Sequence, residues 1–110
     1  KKVVVITDND GDYAGNVQSK YSSYQQFQNI KISSDLDKDN RTFEICIYNS
    51  NQDLLDSSGL TKSKDLLGYM LREKAEFALR LLEQMETDNI SEEFIIPDYI
   101  KEAIEWIIKD

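Results

Sequence analysis

The stretch "VVVITDNDGD", Val3 to Asp12, constrains the fold more than any other part of the chain. Five β-favouring residues, Val3 to Thr7, form a short, uninterrupted apolar run. Such a run is expected of a strand buried on both faces; with the order of elements read below, strand, helix, two strands and two helices, it leads to the α/β class, a layered sheet with flanking helices. The strand runs into Asp8, Asp10 and Asp12, with Gly11 between the last two. Ligands of open α/β sheets bind beyond the carboxyl ends of the strands. Spacing of i, i+2 at that exit can turn Asp8 and Asp10 toward one point, and Gly11 allows a sharp bend. Oxygen-only ligands of this kind suit Mg²⁺ or Mn²⁺. A plain polar turn uses the same residue types, so the stretch alone does not decide between the two. Only Lys1 and Lys2 precede the strand. The expectation is a C-terminal piece of a longer protein, its upstream sheet neighbours absent.

Downstream, the spacing of Val17, Tyr21, Tyr24 and Phe27 predicts an aromatic-faced helix over residues 13–28, with these side chains in the core. Residues 29–33 read as a short strand and "SDLDKDN" as a polar turn. Residues 41–48, "RTFEICIY", read as a further strand with Phe43, Ile45 and Ile47 on one face and Glu44 and Cys46 on the other. The two strands could pair as a hairpin. A serine-rich, flexible-looking loop over residues 49–63 is followed by a long helix over 64–85 and a break at "TDNISEE". A final helix has Pro97 in its first turn and Ile100, Ala103, Ile104, Ile107 and Ile108 on its apolar side.

With 110 residues, the chain is expected to be one domain, residues 1–110. It contains no histidine and one cysteine. That excludes Ser-His-Asp and Cys-His triads, His-based zinc sites and a four-thiolate zinc site. No Walker A motif is present. A lone cysteine and no export signal fit a reducing, cytoplasmic setting. The net charge of −8 argues against a free-standing nucleic-acid binder, yet clustered carboxylates awaiting a cation would contribute to the same count.

Two further residues bear on chemistry. Glu44 falls mid-strand in this reading, where glutamate is disfavoured, though a solvent-facing edge position would tolerate it. Lys74 interrupts the apolar stripe of Leu67, Leu71, Ala78, Leu81 and Met85, so its ammonium either snorkels or meets acidic partners. "DLDKDN" from Asp35 starts like a calcium loop. However, Asn40 stands where glycine is required and Cys46 where the bidentate glutamate should be, so an EF-hand is rejected.

Four blocks, "VVVITDNDGD", "RTFE", "EKAEFAL" and "IPDYIKEAIEW", occur in an order that resembles the Toprim domain of the overcoming-lysogenization-defect (OLD) family of ATP-dependent endonucleases, over nearly the whole chain. The resemblance implies a metal-dependent DNA nuclease module that follows an ABC-type ATPase domain in the same polypeptide. It further implies Asp8, Asp10 and Glu44 as Mg²⁺ or Mn²⁺ ligands, with Asp8, Glu44 and Lys74 catalytic and Lys74 beside the scissile phosphate. ATP would act only through the separate ATPase domain, and DNA would be bound by the full-length protein. Self-association into a homo-oligomer is compatible with this picture, and a membrane partner is not expected. The family's additional acidic turn on an earlier strand has no counterpart here, so the isolated chain is expected to be inactive. Two alternatives stand beside this reading. One is a haloacid-dehalogenase-like phosphatase, which also runs an apolar strand into D-x-D but places a threonine or valine where Asp12 stands. The other is a non-catalytic assembly domain that docks through its aromatic helix or "YIKEAIEWIIKD".

Overall fold

A computed structural model describes residues 1–57, 59, 65–87 and 93–109. The chain is a mixed α/β fold, mostly helical, around a small parallel sheet of two strands. Strand β1, Val3–Ile6, pairs in parallel with β2, Ile30–Ser33, in the register Val3 to Ile30 through Ile6 to Ser33. The predicted hairpin is therefore absent. β2 finds its partner upstream, and the intervening segment crosses over instead of turning back. Among the described residues, no helix is long and apolar enough to cross a membrane.

The crossover is not the single α-helix expected over residues 13–28. It is a π-helical segment, Ala14–Ser19, followed by a 3₁₀ turn, Ser22–Tyr24. Gly15 weakens the helix locally, and nearby side chains bond the backbone in competition with a regular ladder. Ser22 Oγ donates to Ser19 O (3.0 Å), and Asn16 Nδ2 donates to Asn9 O (2.9 Å). Consequently only Val17 of the predicted aromatic face is fully buried. Tyr24 and Phe27 are each 48 % exposed.

The larger correction concerns residues 41–48. They form helix α1, Phe43–Ser50, not a strand. Thr42 is the N-cap, its hydroxyl accepting from Ile45 N (3.3 Å), and Glu44 lies in the first turn, where the helix dipole favours a carboxylate. Ile45, Cys46 and Ile47 are all buried, a contiguous set that alternation cannot produce. A short apolar run rich in β-branched residues does not distinguish strand from buried helix, and here burial from several sides decides.

Within the expected loop lies α2, Gln52–Asp56; residues 58 and 60–64 of that loop are outside the described set, as are residues 88–92, which hold most of the predicted break. The long helix is two, α3, Leu66–Arg72, and α4, Lys74–Thr87, separated at Glu73. Because the break shifts the phase, the buried stripe is Leu66, Tyr69, Met70, Phe77 and Leu81, not the one expected from an unbroken helix. These residues, with Ile47 and Leu55, form a helical core that Tyr48, Met85 and Phe94 flank. Asn51 clasps this core to the incoming segment: Nδ2 donates to Ile47 O and Ile95 O (3.0 and 2.8 Å), and Oδ1 accepts from Ile95 N (2.6 Å).

The last helix, α5, Asp98–Ile108, follows Pro97 and packs across both strands. Ser33 Oγ donates to Tyr99 O at 2.5 Å, and Lys2 reaches the helix end through Trp106 O and Lys109 O. Tyr99 and Ala103 are its buried residues, whereas Ile104, Ile107 and Ile108 of the expected apolar side are 46, 38 and 73 % exposed.

Leu55 is 1 % exposed at the centre of the helical core. Leu55→Ala is expected to cost about 2–5 kcal/mol of stability, lost burial plus the cavity left behind. Urea unfolding checks this, and an unchanged midpoint would place the core elsewhere.

Candidate functional site

The two parallel strands end side by side. β1 delivers Asp8 to Asp12, and β2 delivers the loop from Ser34 to Arg41 that enters α1. The loops interlock at Asn9, which is fully buried although its neighbour Asp10 is exposed. The backbone then turns through two consecutive left-handed residues, Asp10 (φ 52°) and Gly11 (φ 89°). Glycine takes that conformation freely, but aspartate does so at a cost.

Asp8 stands against the start of α1. Its carboxylate accepts from the Phe43 backbone N–H, which by itself favours the ionised form. Burial outweighs that hydrogen bond and raises the Asp8 pKa above its ordinary value. The negative charges of Glu44 and Asp10 act in the same direction, and the Lys74 ammonium acts against them. Asp8 therefore senses all three other residues singled out in the sequence, which come from the β1 exit, the first turn of α1 and the start of α4.

Lys74 opens α4 instead of sitting mid-helix in an apolar seam. Its Nζ lies 3.3 Å from Glu44 Oε1. The Glu44 side chain is 14 % exposed and that of Lys74 is 59 % exposed, so the lysine reaches in from the rim toward a mostly sheltered carboxylate. One charge of this pair is well solvated, so its net contribution to stability is small, about 0–1 kcal/mol.

The donor chemistry fits a hard divalent cation, being all oxygen. A cation would also relieve the carboxylate that is desolvated and repelled by two neighbours. Among the described residues, no three acidic, histidine or cysteine side chains stand close enough together to hold an ion. The three-carboxylate ligand set Asp8, Asp10 and Glu44 that the resemblance implies is therefore not assembled in this structure.

Sequence reasoning missed the supports of this cluster. Asn9 carries no signal in the sequence, where Asp, Asn and Gly together read as a polar turn. The acidic loop that mimics a calcium site spends its carboxylates on itself. Asp35 Oδ1 accepts from Asp37 N (2.8 Å), and Asp37 Oδ1 accepts from Asp39 N (2.9 Å), successive Asx turns. Asp35 Oδ2 also lies 3.3 Å from Asn40 Nδ2.

Cys46, buried in α1, closes the back of the cluster with its Sγ 3.4 Å from Asn40 O. Burial first, and the Asp35 carboxylate second, push its thiol up to about 11. At about pH 8 it stays a thiol and not the reactive thiolate. Iodoacetamide is expected to label Cys46 only as the chain unfolds. Native-state labelling at the rate of an unstructured cysteine peptide would contradict this burial.

Comparison with protein-family models, with curated proteins and with solved structures gives no match to the chain.

Proposed function

We propose that the chain is the Toprim-like nuclease module of an OLD-family ATP-dependent endonuclease, cleaving or nicking DNA phosphodiester bonds with carboxylate-bound Mg²⁺ or Mn²⁺. The observation that supports the reading is the Lys74–Glu44 pair, 3.3 Å apart, close enough to the end of β1 for both charges, with that of Asp10, to act on the Asp8 carboxylate.

In this reading Asp8, Asp10 and Glu44 are the carboxylates that would bind the cation, and Asp8 and Glu44 would act in catalysis through it. When bound, the cation supplies Lewis acidity toward phosphate oxygens and an attacking water. The Lys74 ammonium stabilises the negative charge that develops on those oxygens. Glu44 holds that ammonium at the rim, where a phosphate can approach it. The partly buried setting strengthens each of these interactions relative to water.

The net charge of −8 leaves DNA affinity to other parts of the polypeptide. An ABC-type ATPase domain in the same cytoplasmic protein would supply the basic surface, with a homo-oligomer bringing several such domains together. One observation favours an assembly role alongside catalysis: Ile104, Ile107 and Ile108 leave the outer side of α5 apolar and uncovered. Such a side suits a module seated in a larger protein.

Conversion of supercoiled plasmid to nicked circles by the full-length parent tests the reading. Nicking that requires Mg²⁺ or Mn²⁺ and is lost in Asp8→Ala is expected. Undiminished nicking by both Asp8→Ala and Lys74→Ala would discard it.

A further inference from the structure

We infer that the outer edge of β2 is a docking groove for an extended peptide segment in which apolar and acidic residues alternate, added to the sheet as a third strand. Nothing in this inference depends on a bound cation or on the carboxylates beyond β1.

Among the described residues the sheet has two strands, so β2 is paired along one edge only. Val3 N donates to Asn29 O (2.8 Å) and Thr7 N donates to Ser33 O (3.1 Å). Along a parallel ladder every second residue turns its backbone groups to the partner strand. Asn29, Lys31 and Ser33 therefore face β1, and Ile30 and Ile32 face outward. The Ile30 N–H folds back onto Phe27 O (3.3 Å). That leaves the Ile30 carbonyl and both backbone groups of Ile32 along an edge with no strand to meet them. Such a row is a template for a further strand, and main-chain hydrogen bonds supply the affinity.

The edge is recessed. A hollow of about 310 Å³ runs along Ile30, Lys31 and Ile32, with Tyr13 and Phe27 of the crossover and Trp106 of α5 as its walls. Side chains of a strand alternate between faces, and Ser33 Oγ donates to Tyr99 O. Ser33 and Lys31 thus face α5. Ile30 and Ile32 face the crossover, where they share a second hollow with Tyr21 and Tyr24. An added strand would alternate in the same way, one set of side chains against the apolar crossover wall and the other beside Lys31 and Trp106. The second set meets positive charge. Among the described residues Lys31 is the one charged side chain lining the hollow, and Lys2 Nζ sits 5.1 Å from the centre of the Trp106 ring. No carboxylate lines it, although 21 of the 110 residues are acidic. Charge complementarity therefore selects acidic residues at every second position of the guest. It disfavours a second copy, which would bring a net charge of −8 against −8 and, paired antiparallel about Lys31, lysine against lysine. A lysine on an open edge commonly deters self-pairing; it does not deter a strand of opposite charge.

Trp106 is the chain's sole tryptophan, so its fluorescence reports on the hollow directly. The probe is a short capped peptide alternating valine and glutamate, titrated into the chain at low salt. A saturable change in Trp106 emission is expected, together with slowed hydrogen exchange at the Ile32 amide. The same peptide with methylated backbone nitrogens should not bind. Its counterpart with lysine in place of glutamate should bind about fivefold more weakly or less, the scale of one exposed ion pair, and Lys31→Glu should reverse that preference. Ile32→Pro removes the outward N–H without touching the bonds to β1, a change that an edge strand tolerates. It should weaken the acidic peptide about fivefold to tenfold, the scale of one backbone hydrogen bond. If Ile32→Pro does not fold, the methylated peptide makes the same comparison on the unaltered chain. An unchanged Trp106 emission at millimolar peptide, or equal binding of the methylated or the lysine peptide, overturns the inference. Dimerisation of the chain without peptide, lost in Ile32→Pro, would give the edge to a second copy and overturn it as well.

Discussion

Asp8→Asn is expected to abolish DNA cleavage by the parent protein, a loss of about 10³-fold or more, while raising the melting temperature of the domain. Removing a single group aimed at transition-state charge commonly costs 10²–10³-fold, and loss of a metal ligand removes more than one such contribution. The gain in stability has a separate origin. Asp8 is raised above its ordinary pKa, chiefly by burial, with repulsion from Glu44 and Asp10 added. A carboxyl raised in the folded state stabilises the fold fully below its unfolded value of about 3.8. That contribution is lost as pH rises through the folded value. At neutral pH the ionised Asp8 therefore opposes folding. Asparagine keeps an oxygen to accept from Phe43 N–H and carries no charge to desolvate. The difference in melting temperature should be absent in strong acid, open as pH rises through the raised value, and stay constant above it. Opposite signs for activity and stability are the mark of a group retained for function. A variant that is both inactive and less stable at neutral pH would make Asp8 a structural residue.

Lys74→Ala separates the same two quantities differently. Cleavage should fall about 10²–10³-fold, the scale for one electrostatic donor. Stability should change by less than about 1 kcal/mol, because the lysine is 59 % exposed and its pair with Glu44 is solvated on one side. Lys74→Arg should recover only part of the rate, since a planar guanidinium does not replace a compact ammonium one for one. Plasmid cleavage and urea unfolding give the readouts. A fall in rate matched by an equal fall in stability would make Lys74 a packing residue.

Secondary structure was legible in the sequence only in part. The strand ending before Asp8 was legible in its uninterrupted β-branched run, but its burial on both faces was not borne out: Val3 and Ile6 are 49 and 46 % exposed. Lys74 was legible as an anomaly in an apolar pattern, although the pattern itself changes phase at Glu73. Glu44 was singled out as an oddity within a strand. It is in fact a favourable first-turn residue of α1. Thr42 carried the correct signal, an N-cap hydroxyl before an acid, but alternation through Phe43, Ile45 and Ile47 outweighed it. Pairing was illegible for a different reason. Antiparallel neighbours in a chain differ from a parallel crossover only in what lies between them, and here that is a π-helical segment and a 3₁₀ turn without a clean period. Asn9 could not be recognised without coordinates, because its role depends on carbonyl groups 26 and 28 residues away.

The central claim is that Asp8 and Glu44 serve one cation. Titration of the chain with Mn²⁺, read from the free-ion resonance signal, tests it most directly. Saturable uptake by the wild type, strongly weakened in both Asp8→Asn and Glu44→Gln, is the result predicted. Failure of the wild type to take up Mn²⁺, or equal uptake by all three proteins, would contradict it.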